Sequence, residues 1–340
     1  MKRILKSREF LVLALLAAMI LAVSTVNTAV LRPITLINIV NSSLFLMLIA
    51  IGQMFVVMTR GIDVSVGAIA GLAAVIFGLA LNAGIPLPIA MLCALATGLV
   101  CGCVNAAGIV FVGVPPIIMT LGTLGAYRGL MRVLTGGSWI ESIPQTIKAL
   151  AVTRYLSVPL MVWAVAVLVV VLAILLSRIK AVRNFYAVGD NREGAYLLGI
   201  DVRATEFTAY ALAGLFSGAA AIVFAGQIGF VPMQTGSGQE LKAIAAVVLG
   251  GVSLMGGTGS IWSAVIGAVF LTAVDSMMIF LKVPGSWNNA VAGGVLLAVV
   301  VSDYLIRRTV RNRQLTMRAA EMHHAEQDHT ANLQPREATR

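Results

Sequence analysis

The sequence predicts an all-α polytopic membrane protein, with about ten transmembrane helices in two pseudo-repeated inverted halves and both termini in the cytoplasm. Three observations carry that expectation. Of 340 residues, 59% are apolar and only 11% charged, under half the charged share usual in soluble domains. Residues 64 to 127, between Asp63 and Arg128, form 64 consecutive positions without Asp, Glu, Lys or Arg, about three times the ~20 that a membrane helix needs. The apolar runs are also continuous, where a β-barrel would alternate polar with apolar positions.

Residues 1–9 carry Lys2, Arg3, Lys6 and Arg8 and are expected to form a cytoplasmic amino terminus. The apolar run that follows has the outline of a secretory signal. It lacks a convincing cleavage site and leads directly into further apolar runs, so it reads as a retained first span. The transmembrane domain is expected over 10–306. Gly, Pro and charge divide it into spans at about 10–31, 37–58, 64–83, 87–109, 114–134, 156–177, 207–226, 240–255, 261–281 and 287–306. The charge-free block breaks at Gly84-Ile-Pro86-Leu-Pro88 and at Gly113-Val-Pro115-Pro116, because proline lacks the N–H that a helix in lipid must satisfy internally. Glycines four apart at Gly67/Gly71, Gly98/Gly102, Gly125/Gly129 and Gly214/Gly218 share one helix face each and predict close packing inside the bundle.

Orientation follows from the basic residues. With the amino terminus inside, 17 of the 24 Lys and Arg fall in cytoplasmic segments, as the positive-inside rule requires. The net charge of +10 therefore reports topology, and no nucleic-acid partner is expected. The longest internal polar segment, 178–206, holds five basic and four acidic residues. A helix-like stretch runs from Arg192 to Leu198, with Gly199 as its terminator. Residues 307–340 are polar and read as a cytoplasmic tail.

Gly61-Ile-Asp63 leads to Ala68-Ile69-Ala70, and Gly238-Gln-Glu240 leads to Ala243-Ile244-Ala245. These segments start spans on opposite faces, the pattern of an inverted repeat. The run Leu249 to Gly259 lacks the Gly-Lys-Ser/Thr ending of a phosphate loop and reads as a flexible cytoplasmic bend. An ionisable group within a span costs about 2.5–3.5 kcal/mol at a helix centre. Asp275 therefore calls for a partner; a structural hydrogen-bonding role stands ahead of a pathway role, and Asp63 is the other polar candidate. Arg128 and Arg132, one turn apart, are expected to reach the interface with Glu141 as an eligible partner. Cys93, Cys101 and Cys103 sit in one apolar run and read as reduced core residues. No catalytic triad, paired catalytic carboxylates or metal-ligand cluster is present, and no histidine lies in the first 320 residues, so an enzyme is not expected, and neither a cofactor nor a metal. From the residues alone the chain is a transport or channel protein, and an ion-driven carrier using Asp63 and Asp275 remains open.

Residues 40–305 resemble the permeases of carbohydrate-type ATP-binding-cassette importers, the ribose and branched-chain amino acid permease superfamily. The blocks that carry the resemblance are Thr59-Arg-Gly-Ile-Asp-Val-Ser-Val-Gly67, Pro116-Ile-Ile-Met-Thr-Leu-Gly-Thr-Leu124 with Tyr127-Arg-Gly129, Phe185-Tyr-Ala-Val-Gly-Asp-Asn191 with Gly199-Ile200, and Ala243-Ile-Ala-Ala-Val-Val-Leu-Gly-Gly251 continuing through Ser253-Leu-Met-Gly-Gly257. Within the superfamily the chain looks most like the branch that imports autoinducer-2, through Thr135-Gly-Gly-Ser-Trp-Ile-Glu141, Gln227-Ile-Gly-Phe-Val-Pro232, Glu240-Leu-Lys242 and Asp275-Ser276. A ribose or other sugar permease is the alternative.

The resemblance implies a paralogous second permease subunit, a cytoplasmic ATPase dimer, a periplasmic substrate-binding protein and a small sugar-like solute. ATP hydrolysis would belong to the separate subunit. It also implies that 178–206 is the ATPase-coupling loop, with Gly189, Asp190, Asn191, Arg192, Glu193 and Gly199 in its docking segment.

Overall fold

The computed structural model describes residues 8–301 except 142, 289, 292, 296, 299 and 300. The chain divides into two units, 1–296 and 297–340; of the second only positions 297, 298 and 301 are described. The tail 307–340 and most of the amino-terminal segment 1–9 thus lie outside the described residues. The tenth expected span is described only at single positions, and those between 288 and 301 are helical.

Twelve α-helices make up the described fold: α1 Arg8–Ser24, α2 Pro33–Met58, α3 Val66–Asn82, α4 Leu87–Ala107, α5 Pro116–Thr135, α6 Gln145–Val152, α7 Leu160–Arg178, α8 Val182–Asp190, α9 Arg192–Leu197, α10 Val202–Ile228, α11 Gln239–Gly250 and α12 Ile261–Phe280. Five apolar segments are long enough to cross a membrane: α2, α4 with its π turn to Val112, α7, α10 and α12, with α1 and α3 as shorter apolar helices. The two breaks expected in the charge-free block are present: α3 ends at Asn82 and α4 opens at Leu87 after Pro86, and α5 opens at Pro116. Pro33 opens α2 four residues ahead of the expected start; Pro33 and Pro116 hold first-turn positions whose N–H has no intrahelical partner in any case. The only sheet among the described residues is a two-residue hairpin, Arg154–Tyr155 against Val158–Pro159. It follows α6, and neither was foreseen.

The hub is α10, which packs against α2, α3 and α4. A Cβ at Gly98 would run into the Gly214 carbonyl, and one at Gly102 into the Tyr210 carbonyl. The two glycine pairs of α4 and α10 therefore meet face to face, and the backbones touch. The pair at Gly125/Gly129 behaves differently from expectation. Nothing in the chain lies within 4 Å of where their Cβ atoms would be, so α5 turns this face away from the bundle.

Span eight is a shorter helix than expected. As α11 it has 12 residues, about 18 Å of helix, short of a ~30 Å hydrocarbon core. Residues 229–238 lead into it as irregular chain, with Gly229, Val231, Thr235 and Gly236 buried and Gln234 and Ser237 exposed; irregular backbone at membrane depth is tolerated where protein covers it. The start of α3 meets this segment: a Cβ at Gly67 would strike the Gly236 carbonyl and the Glu240 carboxylate, and one at Gly71 the Thr235 carbonyl. From that junction α3 runs toward Asn82, whose amide donates to the Glu141 carbonyl at 3.1 Å. The other helix, α11, runs the opposite way to Gly250, packed on the Ser263 backbone at the start of α12. Two helices leaving one junction in opposite directions is the arrangement that inverted halves produce.

Candidate functional site

Between the end of α7 at Arg178 and the start of α10 at Val202, the segment 178–206 folds as two short helices, α8 and α9, and its last five residues already belong to α10. Asn191 separates the two short helices, and its Oδ1 caps α9 by accepting from the Gly194 N–H at 3.0 Å, a bond that stabilises a helix start. Gly199, at φ +79, turns the chain out of α9 in a conformation that side chains disfavour. Arg192 makes a two-pronged ion pair with Glu206 of α10, at 2.8 and 3.1 Å. This pairing holds the guanidinium above its ordinary pKa and ties α9 to the first turns of α10. Of the six candidates, Asn191, Arg192 and Gly199 thus shape the segment, while Asp190 and Glu193 are exposed. At the end of α9, Tyr196, Leu197 and Leu198 are 72%, 83% and 82% exposed. A groove of about 950 Å³ runs beside them, bordered by Glu193, Gly199 and Arg203.

Gly189 is buried in a three-way junction that the sequence did not reveal. A Cβ there would overlap the Met58 carbonyl and the Gly257 N–H, and those two groups hydrogen-bond to each other at 3.0 Å. Arg60, just past α2, donates through Nε to the Gly189 carbonyl and through Nη2 to the Asp190 carbonyl, both at 2.6 Å. Its own backbone sits at φ +67, a left-handed geometry uncommon for a side chain of this size. Gly256 and Gly257, at φ +77 and +71, bring the α11–α12 connection against Gly189 and Asp190. The glycine-rich run expected to be a flexible bend is therefore a packed strut. Tyr186 adds a bond from its hydroxyl to the Gly259 carbonyl at 2.9 Å, and burial pushes its phenol above the usual range. Beneath α9 lies a cavity of about 490 Å³ bordered by Arg60, Arg192, Glu206 and Tyr210.

Asp63 and Asp275 lie elsewhere in the bundle and do not meet. Asp63 is fully buried and accepts from the Ser65 N–H at 2.8 Å, the Ser65 hydroxyl at 2.7 Å and the Asn105 amide at 3.3 Å. The Gln53 amide, oriented to suit, pairs with both backbone polar groups of Asp63 at 3.2 Å. The carboxylate thus fixes the turn that leads into α3. Asp275 takes the partner its position called for: Lys242 Nζ lies 2.7 Å from its Oδ2, and Lys242 belongs to α11, inside the span expected over 240–255, and is 8% exposed. Arg128 departs from expectation too. It donates to the Thr235 carbonyl at 2.6 Å, with the charge of Glu240 close by. It therefore turns inward to the α3–α11 junction, where the buried Thr235 carbonyl accepts its hydrogen bond, and Glu141 is not its partner. Among the described residues no group of three or more His, Cys, Asp or Glu side chains is placed to hold a metal ion.

Comparison with known proteins places this architecture. Residues 35–300 match the family model described as branched-chain amino acid transport system / permease component. The chain belongs to that permease family. Curated relatives agree along nearly the full length. This permease is 46% identical over 318 residues to the autoinducer 2 import system permease protein LsrC of Enterobacter sp. (strain 638), covering 94% of the chain and 93% of the relative. It is 44% identical over 307 residues to LsrC of Photorhabdus luminescens, 90% and 93% of the two chains. Against LsrC of Escherichia coli (strain K12 / DH10B) it is 48% identical over 273 residues, 80% of each. No solved structure matches it. The permease is thus a multi-pass membrane transport subunit and not an enzyme, and its polar features are to be read as parts of a solute-moving bundle.

Proposed function

We propose that this permease moves autoinducer-2 inward across the inner membrane as one half of an ATP-driven importer. It would pair with a paralogous second permease subunit, take its solute from a periplasmic binding protein and receive its drive from a cytoplasmic ATPase dimer. The cargo assignment rests on the name shared by relatives 44–48% identical to the chain. The coupling assignment rests on the geometry of 178–206.

Three adjacent apolar side chains stand in solvent at the tip of α9, and fully burying such a side chain is worth roughly 1.5–3 kcal/mol. They suit a groove on a soluble partner, with Asp190 and Glu193 as the charged rim. Behind the tip, Arg60 and the Gly256–Gly257 strut connect the loop to α2 and to the α11–α12 connection. A push on α9 therefore reaches helices of both halves without passing through a flexible hinge. The open face of α5, with Gly122, Gly125 and Gly129 facing nothing in the chain, is the surface we assign to the second permease subunit, since glycine lets two backbones approach closely.

An ion-driven carrier needs carboxylates that load and release a cation, whereas Asp275 already faces Lys242. The test is uptake of labelled autoinducer-2 and ribose by cells with and without this chain, all other components present. Uptake of ribose and not autoinducer-2 would assign the cargo to the sugar alternative, and uphill pumping by the chain alone on an ion gradient would overturn the ATP-driven scheme. For the loop, Asp190→Arg combined with Glu193→Arg is expected to lower transport-coupled ATP hydrolysis while membrane insertion stays intact. A silent double substitution removes these two residues from the docking rim.

A further inference from the structure

The Lys242–Asp275 ion pair joins a buried lysine to a half-buried aspartate, whose side chain is 28% exposed, and it is not sealed in apolar packing. It borders a cavity of about 250 Å³ formed where α2, α11 and α12 approach, with Ser42, Thr272, Ser276 and Asn288 also on its wall. A second cavity of about 210 Å³ shares Ser42, Ser276 and Ile279 with the first and extends along α2 past Asn38 and Thr35. Thr272, Asp275 and Ser276 stand at i, i+3 and i+4, one face of α12. Apart from Ser263 in the first turn, the rest of the helix is apolar or glycine.

Depth matters to what this pocket can be. Asp275 lies 14 residues beyond the start of α12, about 21 Å along the axis. Five residues of α12 remain beyond it, about 8 Å, so it sits in the outer third of the span, away from the helix end near the 178–206 loop. Polar residues there are costly if they face lipid, so their concentration around one cavity calls for a polar occupant.

The chemistry of the wall identifies the class. An ammonium has three N–H donors and a carboxylate two acceptor oxygens. The pair uses one donor and Oδ2 on each other, leaving two donors on Lys242 and Oδ1 on Asp275 side by side. Neighbouring hydroxyl oxygens on a small ring or chain present a donor and an acceptor at matching spacing. The serine, threonine and asparagine side chains can serve the remaining hydroxyls. The two charges cancel, so nothing here favours an anion or a cation. The geometry points to a solute subsite at Lys242–Asp275 that recognises vicinal hydroxyls of a small, uncharged polyhydroxylated molecule on its way through the permease. This deepens the transport function proposed above and rests on it.

Two measurements on the complete importer in proteoliposomes test the subsite. In the first, Cys93, Cys101 and Cys103 are replaced by alanine and Ser276→Cys is introduced. A charged, membrane-impermeant methanethiosulfonate reagent is then applied with and without nucleotide. Modification of position 276 is expected in at least one state, slowed threefold or more by millimolar autoinducer-2 or ribose and unaffected by cyclopentanol. No modification in any state, or equal slowing by cyclopentanol, overturns the subsite.

In the second, initial uptake rates are compared for Thr272→Val, Ser276→Ala and the exchange Lys242→Asp with Asp275→Lys. The first two leave the ion pair in place and are expected to slow uptake at least fivefold at unchanged complex yield; wild-type uptake in both overturns the inference. The exchange keeps a pair but reverses the donors and acceptors. Recovery of wild-type uptake would make the pair merely structural, and loss of uptake supports the subsite. If wild-type complex fails to carry autoinducer-2, the cargo assignment falls, while protection of position 276 by ribose still decides whether the subsite exists.

Discussion

Replacing Gly189 by alanine puts one methyl group where the Met58 carbonyl and the Gly257 N–H already are. Both neighbours are backbone, so no side chain can swing aside. A wedge of this kind costs about 1–3 kcal/mol in a well-packed interior. Parting Met58 from Gly257 also loses their 3.0 Å hydrogen bond, worth a further ~0.5–1.5 kcal/mol net. Together these give about 2–4 kcal/mol, which at about 2 °C per kcal/mol for a chain of this size lowers the melting temperature by about 4–8 °C. The same wedge pushes the loop off Arg60, so ATP hydrolysis stimulated by loaded binding protein is expected to fall at least fivefold in the assembled complex. Gly285→Ala is the control, because no atom lies within 4 Å of its added Cβ and its φ is ordinary. Wild-type melting and wild-type stimulation in Gly189→Ala would refute the packed junction as the route of coupling.

Arg60→Met removes both 2.6 Å bonds to the loop carbonyls, each of the charge-assisted kind worth about 1.5–3 kcal/mol. Reduced stimulation of ATP hydrolysis is expected, with partial recovery in Arg60→Lys, measured in the same assay. The Arg192–Glu206 pair is 63% exposed on the arginine side and 15% on the glutamate, and solvent screens it. A double-mutant cycle on melting should give a coupling of under about 1 kcal/mol, and a value above 2 would contradict the open geometry. Gly98→Leu should abolish folded permease by prying α4 from the Gly214 backbone. Gly125→Leu should leave the isolated chain intact yet weaken its recovery with the second permease subunit, followed by size-exclusion chromatography; full recovery would move that interface off α5.

The sequence by itself determined the order of the apolar helices, the proline breaks of the charge-free block and the polar segment between the halves, while of the ten expected spans five are helices long and apolar enough to cross among the described residues. Lipid imposes these locally: a helix must be long and apolar, and a chain lacking an N–H must break it. The start of α9 at Arg192 and its stop near Gly199 were legible for the same reason, since caps are written within a few residues. Only the tertiary structure decided what each polar residue does. Arg60 meets the Gly189 carbonyl across 129 positions, Lys242 meets Asp275 across 33, and Arg128 finds Thr235 across 107. Which carboxylate or carbonyl satisfies a buried cation depends on how helices cross, and the crossing is set by glycine faces such as Gly98 on Gly214. Spacing along the chain showed that such faces existed, yet it could not distinguish the pair on α4 from the pair on α5, because a glycine face reads the same whether it is covered or open.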